Sequence, residues 1–104
     1  MTPVRHAVIT GTGRFVPSRV VTNADLAPTL GASIEPFVSD TLGIRQRHVC
    51  APNESTVDLC EPAARQALAA AGLGLDDVDL LIVATDTPEY ISPATSSVLH
   101  GRLG

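Results

Sequence analysis

Leu80-Leu81-Ile82-Val83-Ala84 constrains this chain more than any other stretch, because it is a wholly apolar run placed just after an amphipathic helix. Such a run reads as a central strand covered on both faces, as in layered α/β proteins. Burial of its four large side chains contributes about 6–12 kcal/mol before conformational entropy is counted. The helix before it is legible from its caps and its face. Ser55 is its N-cap, Asp58 brings a carboxylate to the free first-turn N–H groups, and Gly72 supplies the stop. Val57, Cys60, Ala64, Leu68 and Ala71 share one face, with Arg65 and Gln66 turned away. Pro62 removes the N–H that would bond the Asp58 carbonyl, and the reading carries the helix through it with a disturbed first turn. Asp76, Asp77 and Asp79 keep the turn before the strand in water.

The remaining elements are arranged around that unit. Val4–Thr10 reads as a first strand and ends in Gly11-Thr12-Gly13. The glycines resemble the opening of a dinucleotide fingerprint, but Val16 occupies the third glycine position and Pro17 follows where a helix should start. A tight turn is the simpler reading. Thr22 or Asn23 caps a short helix Ala24–Leu30 that stops at Gly31. Ser33 can cap a second, Ile34–Leu42, with Pro36 in its first turn and Gly43 after it. Ile44–Cys50 alternates Ile44, Gln46 and His48 against Arg45, Arg47 and Val49, which suits an extended surface or edge segment. After the apolar strand comes a loop with two prolines, and Ala94–Leu103 reads as a further helix with Pro93 at its first turn. The strongest strand has too few neighbours to complete a sheet, so residues 1–104 read as one incomplete domain truncated in or just after that last helix.

Bulk composition excludes several classes. At 104 residues with 44 % apolar and 17 % charged residues, the chain is one domain at most and has enough apolar content for a core. A formal charge of −4 gives no basic footprint for nucleic acid. Leu80–Ala84 is far too short to span a bilayer, so no membrane insertion is expected. The N-terminus MTPVRHAVITGTG has no apolar core followed by a small-residue cleavage site, which reads as cytoplasmic. Cys50 and Cys60 read as a reduced interior pair rather than a disulfide.

No catalytic constellation assembles from composition and spacing. His6, His48 and His100 are far apart and lack metal-ligand spacing, so no metal site is expected. Cys60 falls on the apolar helix face as a small core residue rather than a nucleophile. Arg45 and Arg47, beside His48, share one face of their extended segment. They can pair with a nearby acid, the favoured reading, or hold a carboxylate or phosphate.

Four segments together resemble the N-terminal portion of the β-ketoacyl-ACP synthase III family of thiolase-like condensing enzymes. They are Ile9–Gly13 followed by Val16-Pro17, Val21–Leu26, Gly43–His48 followed by Ala51–Glu54, and the Ala63–Gly72 helix running into Val78–Thr85. The GIRQRH segment followed by APNE is the most specific of them. Tyr90–Gly104 is similar to the subgroup that joins two long acyl chains head to head, and is also compatible with relatives of secondary metabolism. The resemblance implies part of the first half of a layered αβαβα fold and a cytoplasmic homodimer. The reaction it implies is acyl transfer from CoA or acyl carrier protein to a cysteine, followed by condensation with a malonyl thioester. CoA and carrier-protein thioesters are then substrates, and no other cofactor is required. That chemistry uses a thiolate at a helix N-terminus with histidine and asparagine donors. The family's cysteine lies beyond the helix near Pro93, and neither Cys50 nor Cys60 matches it, so none of the catalytic set falls within these residues.

Two departures from the family bear on substrate. Bacterial members grip the CoA nucleotide with a tryptophan and an arginine four residues later, where this sequence has Phe37 and Thr41. The residue before the equivalent of Pro93 reaches across the family's dimer into the partner's acyl pocket. Phenylalanine is common there and glutamate marks the head-to-head subgroup, whereas this chain has Ser92. Ser92 can instead serve as a helix cap. The competing reading for the whole chain is a non-catalytic short paralogue, an interaction module that pairs with a complete condensing-enzyme subunit.

Overall fold

The computed structural model describes residues 1–31 and 34–104, so the expected cap Ser33 lies outside the described residues. They form two compact units, one of residues 16–54 and one of residues 1–15 with 55–104.

In the smaller unit, β1 (Arg19–Thr22) runs antiparallel to β2 (Gln46–Val49), with Arg19 opposite Val49 and Thr22 opposite Gln46. Thr22 then caps α1 (Asn23–Leu30), which deciding residue the sequence had left open. The Thr22 N–H donates to Asp25 Oδ2 at 2.8 Å and Asp25 N–H donates back to Thr22 Oγ1 at 3.2 Å, a complete capping box. The Thr22 N–H, and after it the Thr22 hydroxyl donating to the same Oδ2 at 2.7 Å, hold the Asp25 carboxyl below its ordinary value. α2 (Ile34–Pro36) widens into a π turn over Phe37–Thr41, closed by Leu42 N–H donating to Phe37 O at 3.2 Å. The helix expected over Ile34–Leu42 is therefore present with its second half widened.

Asn23 is buried and ties this unit together. Its Nδ2 donates to Ile44 O at 2.8 Å, and its Oδ1 accepts from Arg47 Nη2 at 2.8 Å. Arg47 Nη1 also donates to Val21 O at 3.3 Å. Arg47 thus satisfies an amide and a carbonyl, not the acid or anion expected from its sequence. The hydrogen bonds exceed a surface ion pair in value because they join partly buried groups that would otherwise be unpaired.

In the larger unit the spine is α3 (Thr56–Ala71), which starts from Ser55, passes through Pro62 without a break and ends at Gly72 in a left-handed conformation, φ 68°. Its expected face is the covered one: Val57 is fully buried, Cys60, Ala64, Leu68 and Ala71 are half-buried, and Arg65 and Gln66 are exposed. A second stripe, Ala63, Ala67 and Ala71, meets the N-terminal segment. A Cβ on Gly13 would collide with Ala63 O and come within 2.6 Å of Ala67 N, and one on Gly11 would collide with Ala67 O and come within 2.7 Å of Ala71 N. The two glycines therefore serve close backbone approach to a helix and not the tight turn expected of them.

The strands expected at Val4–Thr10 and Leu80–Ala84 make no ladder among the described residues. A strand exists through a neighbour's hydrogen bonds, and no described segment in this unit offers them. Nor is the apolar run covered on both sides. Leu81 and Val83 are half-buried, whereas Leu80 and Ile82 are 74% and 78% exposed. That alternation is the pattern of an extended segment lying one-sided on helices. α4 (Thr95–Leu103) packs on α3 and buries Leu99. It begins after the expected position, with Ala94 as its N-cap and no side-chain cap. Among the described residues no helix is long and apolar enough to cross a membrane.

Candidate functional site

Phe37 and Thr41 both lie on the π turn of the smaller unit and are both exposed, Phe37 by 54%. Their four-residue spacing on a helical turn gives an open aromatic ring with a hydroxyl one turn on and no cation at either position. Ser92 lies in the larger unit, in the loop that leads to α4, and it too is exposed. Its bond to Pro93 is cis. Ser92 makes no side-chain hydrogen bond among the described residues, and Ala94, not Ser92, stands at the cap position. The capping role is thereby excluded, because the helix begins two residues later than its proline suggests.

The polar groups around this loop converge on the first turn of α3. Ser55 N–H donates to Asp58 Oδ2 at 2.7 Å, and the Ser55 hydroxyl lies 2.8 Å from the same oxygen and 3.0 Å from Glu89 Oε2. Thr56 Oγ1 donates to Thr87 O at 2.6 Å. From α4, Arg102 Nη1 reaches Asp58 Oδ1 at 2.5 Å. Arg102 and then the Ser55 N–H and hydroxyl hold the Asp58 carboxyl down to about 2, and Asp58 in turn raises the Arg102 guanidinium above its ordinary value. Glu89 raises the neighbouring Tyr90 phenol by hydrogen bonding and charge. Arg65, paired with Glu61 at 3.0 Å, also donates to Arg102 O at 3.3 Å and so caps the end of α4. Asp58 was legible as a helix cap, but its pairing with a residue 44 positions away was not.

Cys50 and Cys60 are both half-buried and unbridged. Cys60 lines an apolar groove with Ala63 and Ala64 of α3, Leu81, Val83 and Leu99. A larger cavity of about 570 Å³ shares Ala64 and Leu81 with that groove and is lined by Leu68, Leu75, Val78 and Leu103 together with Asp76, Asp79 and His100. No group of metal-ligating side chains occurs among the described residues.

The layered packing of α3 and α4 against these segments is part of a thiolase-like fold. A crystal structure of 3-oxoacyl-[acyl-carrier-protein] synthase III from Aquifex aeolicus superposes with a TM-score of 0.80 at 35% identity, over 91% of this chain and 30% of that one. The corresponding protein of Pseudomonas aeruginosa gives 0.79 at 40% identity, over 96% of this chain and 30% of that one. The β-ketoacyl-[acyl-carrier-protein] synthase III of Thiobacillus denitrificans is 46% identical over 99 residues, 95% of this chain and 31% of the relative. No protein-family model matches. The chain spans under a third of the length of these relatives, and over 95% of its own length it matches the N-terminal portion of the β-ketoacyl-ACP synthase III family.

Proposed function

We propose that this chain is the N-terminal portion of a 3-oxoacyl-ACP synthase III-like acyltransferase. The enzyme condenses an acyl thioester with a malonyl thioester, takes acyl-CoA or acyl carrier protein as substrate and needs no further cofactor. It works as a cytoplasmic homodimer. Residues 1–104 contribute the α3–α4 frame and two substrate walls, the Phe37/Thr41 turn for the CoA nucleotide and Ser92 for the acyl group. The nucleophile and its histidine and asparagine donors lie outside them. The observation that supports this most directly is the 46% identity to a named synthase over 95% of the chain. Cys60 is consistent with it, since it packs among the apolar side chains Ala63, Ala64, Leu81 and Leu99 as a core residue would.

The test is a chimera in which residues 1–104 replace the corresponding segment of the Pseudomonas aeruginosa synthase. Condensation of acyl-CoA with malonyl-ACP at a rate within about tenfold of the parent is the expected result. A folded, dimeric chimera that binds no thioester would contradict it.

A further inference from the structure

Residues 79–93 make no backbone–backbone hydrogen bond among the described residues. The loop 85–92 is held instead by side chains of one helical turn. Thr56 takes the Thr87 carbonyl, and the Ser55 hydroxyl sits between the carboxylates of Asp58 and Glu89. A hydroxyl carries one hydrogen, so it can donate to only one of those two carboxylates at a time. The second is tolerable beside the first because Arg102 binds Asp58 directly and lies in the field of Glu89 and Glu61. Asp58 cannot move to relieve repulsion, since the Ser55 N–H also holds it. Glu89, on the loop, is the partner that would leave.

We propose that the first turn of α3 and Arg102 form a clamp that sets the position of loop 85–92, making Thr56, Asp58 and Arg102 positioning residues for acyl-group selection at Ser92. The selection part rests on the acyltransferase reading above, whereas the clamp itself rests only on the geometry. Arg102 acts as the charge that lets two carboxylates flank one hydroxyl. Thr56 supplies an independent, uncharged second hold on the same loop.

Limited proteolysis of the full chain by a protease of broad specificity, with the cuts mapped by mass, tests the clamp. Arg102→Met is expected to speed cleavage within residues 86–91 by about tenfold or more, the scale of losing one charge-assisted hydrogen bond. Cleavage within residues 64–71 of α3 should change by less than about twofold, because their opening is a separate local event. Adding Glu89→Gln should restore resistance, since a neutral amide removes the repulsion and can itself donate to the Ser55 hydroxyl. Thr56→Val should loosen the same residues without any change of charge. Cleavage that rises equally in loop and helix, an unchanged loop, or failure of Glu89→Gln to rescue would each overturn the clamp. In the chimera, Arg102→Met should flatten the ratio of rates with short and long acyl donors, and the double variant should recover it. A loosened loop with that ratio unchanged would overturn the selection role. A chimera inactive from the outset would count against the proposed function, and the proteolysis would still decide the clamp.

Discussion

Arg102 Nη1 stands 2.5 Å from Asp58 Oδ1, joining the last turn of α4 to the first turn of α3 across 44 residues. Each end of that pair is suited to its helix. A cation favours a helix C-terminus and an anion an N-terminus, so the bond adds to two dipole interactions already in place.

The pair makes stability depend on acid. Asp58 titrates at about 2 in the folded chain, below its unfolded value of about 3.9. Its stabilising contribution is therefore complete above about pH 4 and is lost as pH falls through the folded value near 2. Urea midpoints measured from pH 6 to pH 2 should fall more steeply in the native chain than in Asp58→Asn. Parallel curves would show that Asp58 is not the group responsible.

Gly13→Ala is expected to destabilise by about 1–3 kcal/mol, the cost of forcing a methyl into close-packed backbone. The collision is with helix backbone at Ala63 and Ala67, which cannot rotate away. Gly101→Ala is the contrasting case. It lies inside α4 with nothing within 4 Å of the new methyl, so it should stabilise by about 0.5–1 kcal/mol. Chemical denaturation of both variants checks the signs.

The exposed side of the apolar run should drive self-association of the isolated chain. Leu80, Ile82, Val8 and Ile9 are each more than 70% exposed. Apolar segments without ladder partners are edges for pairing with other chains. Ile82→Lys should shift sedimentation toward monomer and alter the urea midpoint little, as substitutions of exposed residues usually do. An unchanged size distribution would show that this face is not the contact.

Much of this architecture is legible in the sequence where the cause is local. Ser55, Asp58 and Gly72 bound α3 through their own backbone bonds, and the face of Val57, Cys60, Ala64 and Leu68 follows from helical spacing. The failures share a different cause, partners remote in sequence. Leu80–Ala84 carries a strand's composition, but a ladder needs a neighbour that composition does not specify. Arg47 signals charge, yet its partners are Asn23 and the Val21 carbonyl, reached only once β1 and β2 pair. Gly11 and Gly13 mimic a turn because close approach to Ala63, Ala67 and Ala71 leaves no local trace. Pro93 suggests a helix start that Ala94 takes instead. Phe37, Thr41 and Ser92 are each exposed, and no local pattern in the sequence says what would cover them.

Thr41→Arg in the chimera should lower the KM for acyl-CoA by about tenfold and leave that for acyl carrier protein nearly unchanged. On the proposed reading of the Phe37 turn, a guanidinium there would add a charge-assisted contact to the nucleotide phosphates. Equal effects on both donors would place Thr41 elsewhere than the nucleotide.

Ser92→Phe should shift the chimera toward short acyl donors, because a bulky ring would fill the acyl-pocket wall that the proposed function gives to Ser92. Stability should stay within about 0.5 kcal/mol, since Ser92 is exposed and caps nothing. Unchanged chain-length preference would remove Ser92 from the pocket.

The central proposal, that these residues frame a condensing site without supplying its nucleophile, is tested most directly by trapping the acyl-enzyme. The chimera and the isolated chain are each incubated with acyl-CoA, digested and mapped by mass. One acyl group on a cysteine outside residues 1–104 of the chimera, with Cys50 and Cys60 unmodified in both proteins, is the expected result. Acylation of Cys50 or Cys60 followed by turnover with malonyl-ACP would contradict it.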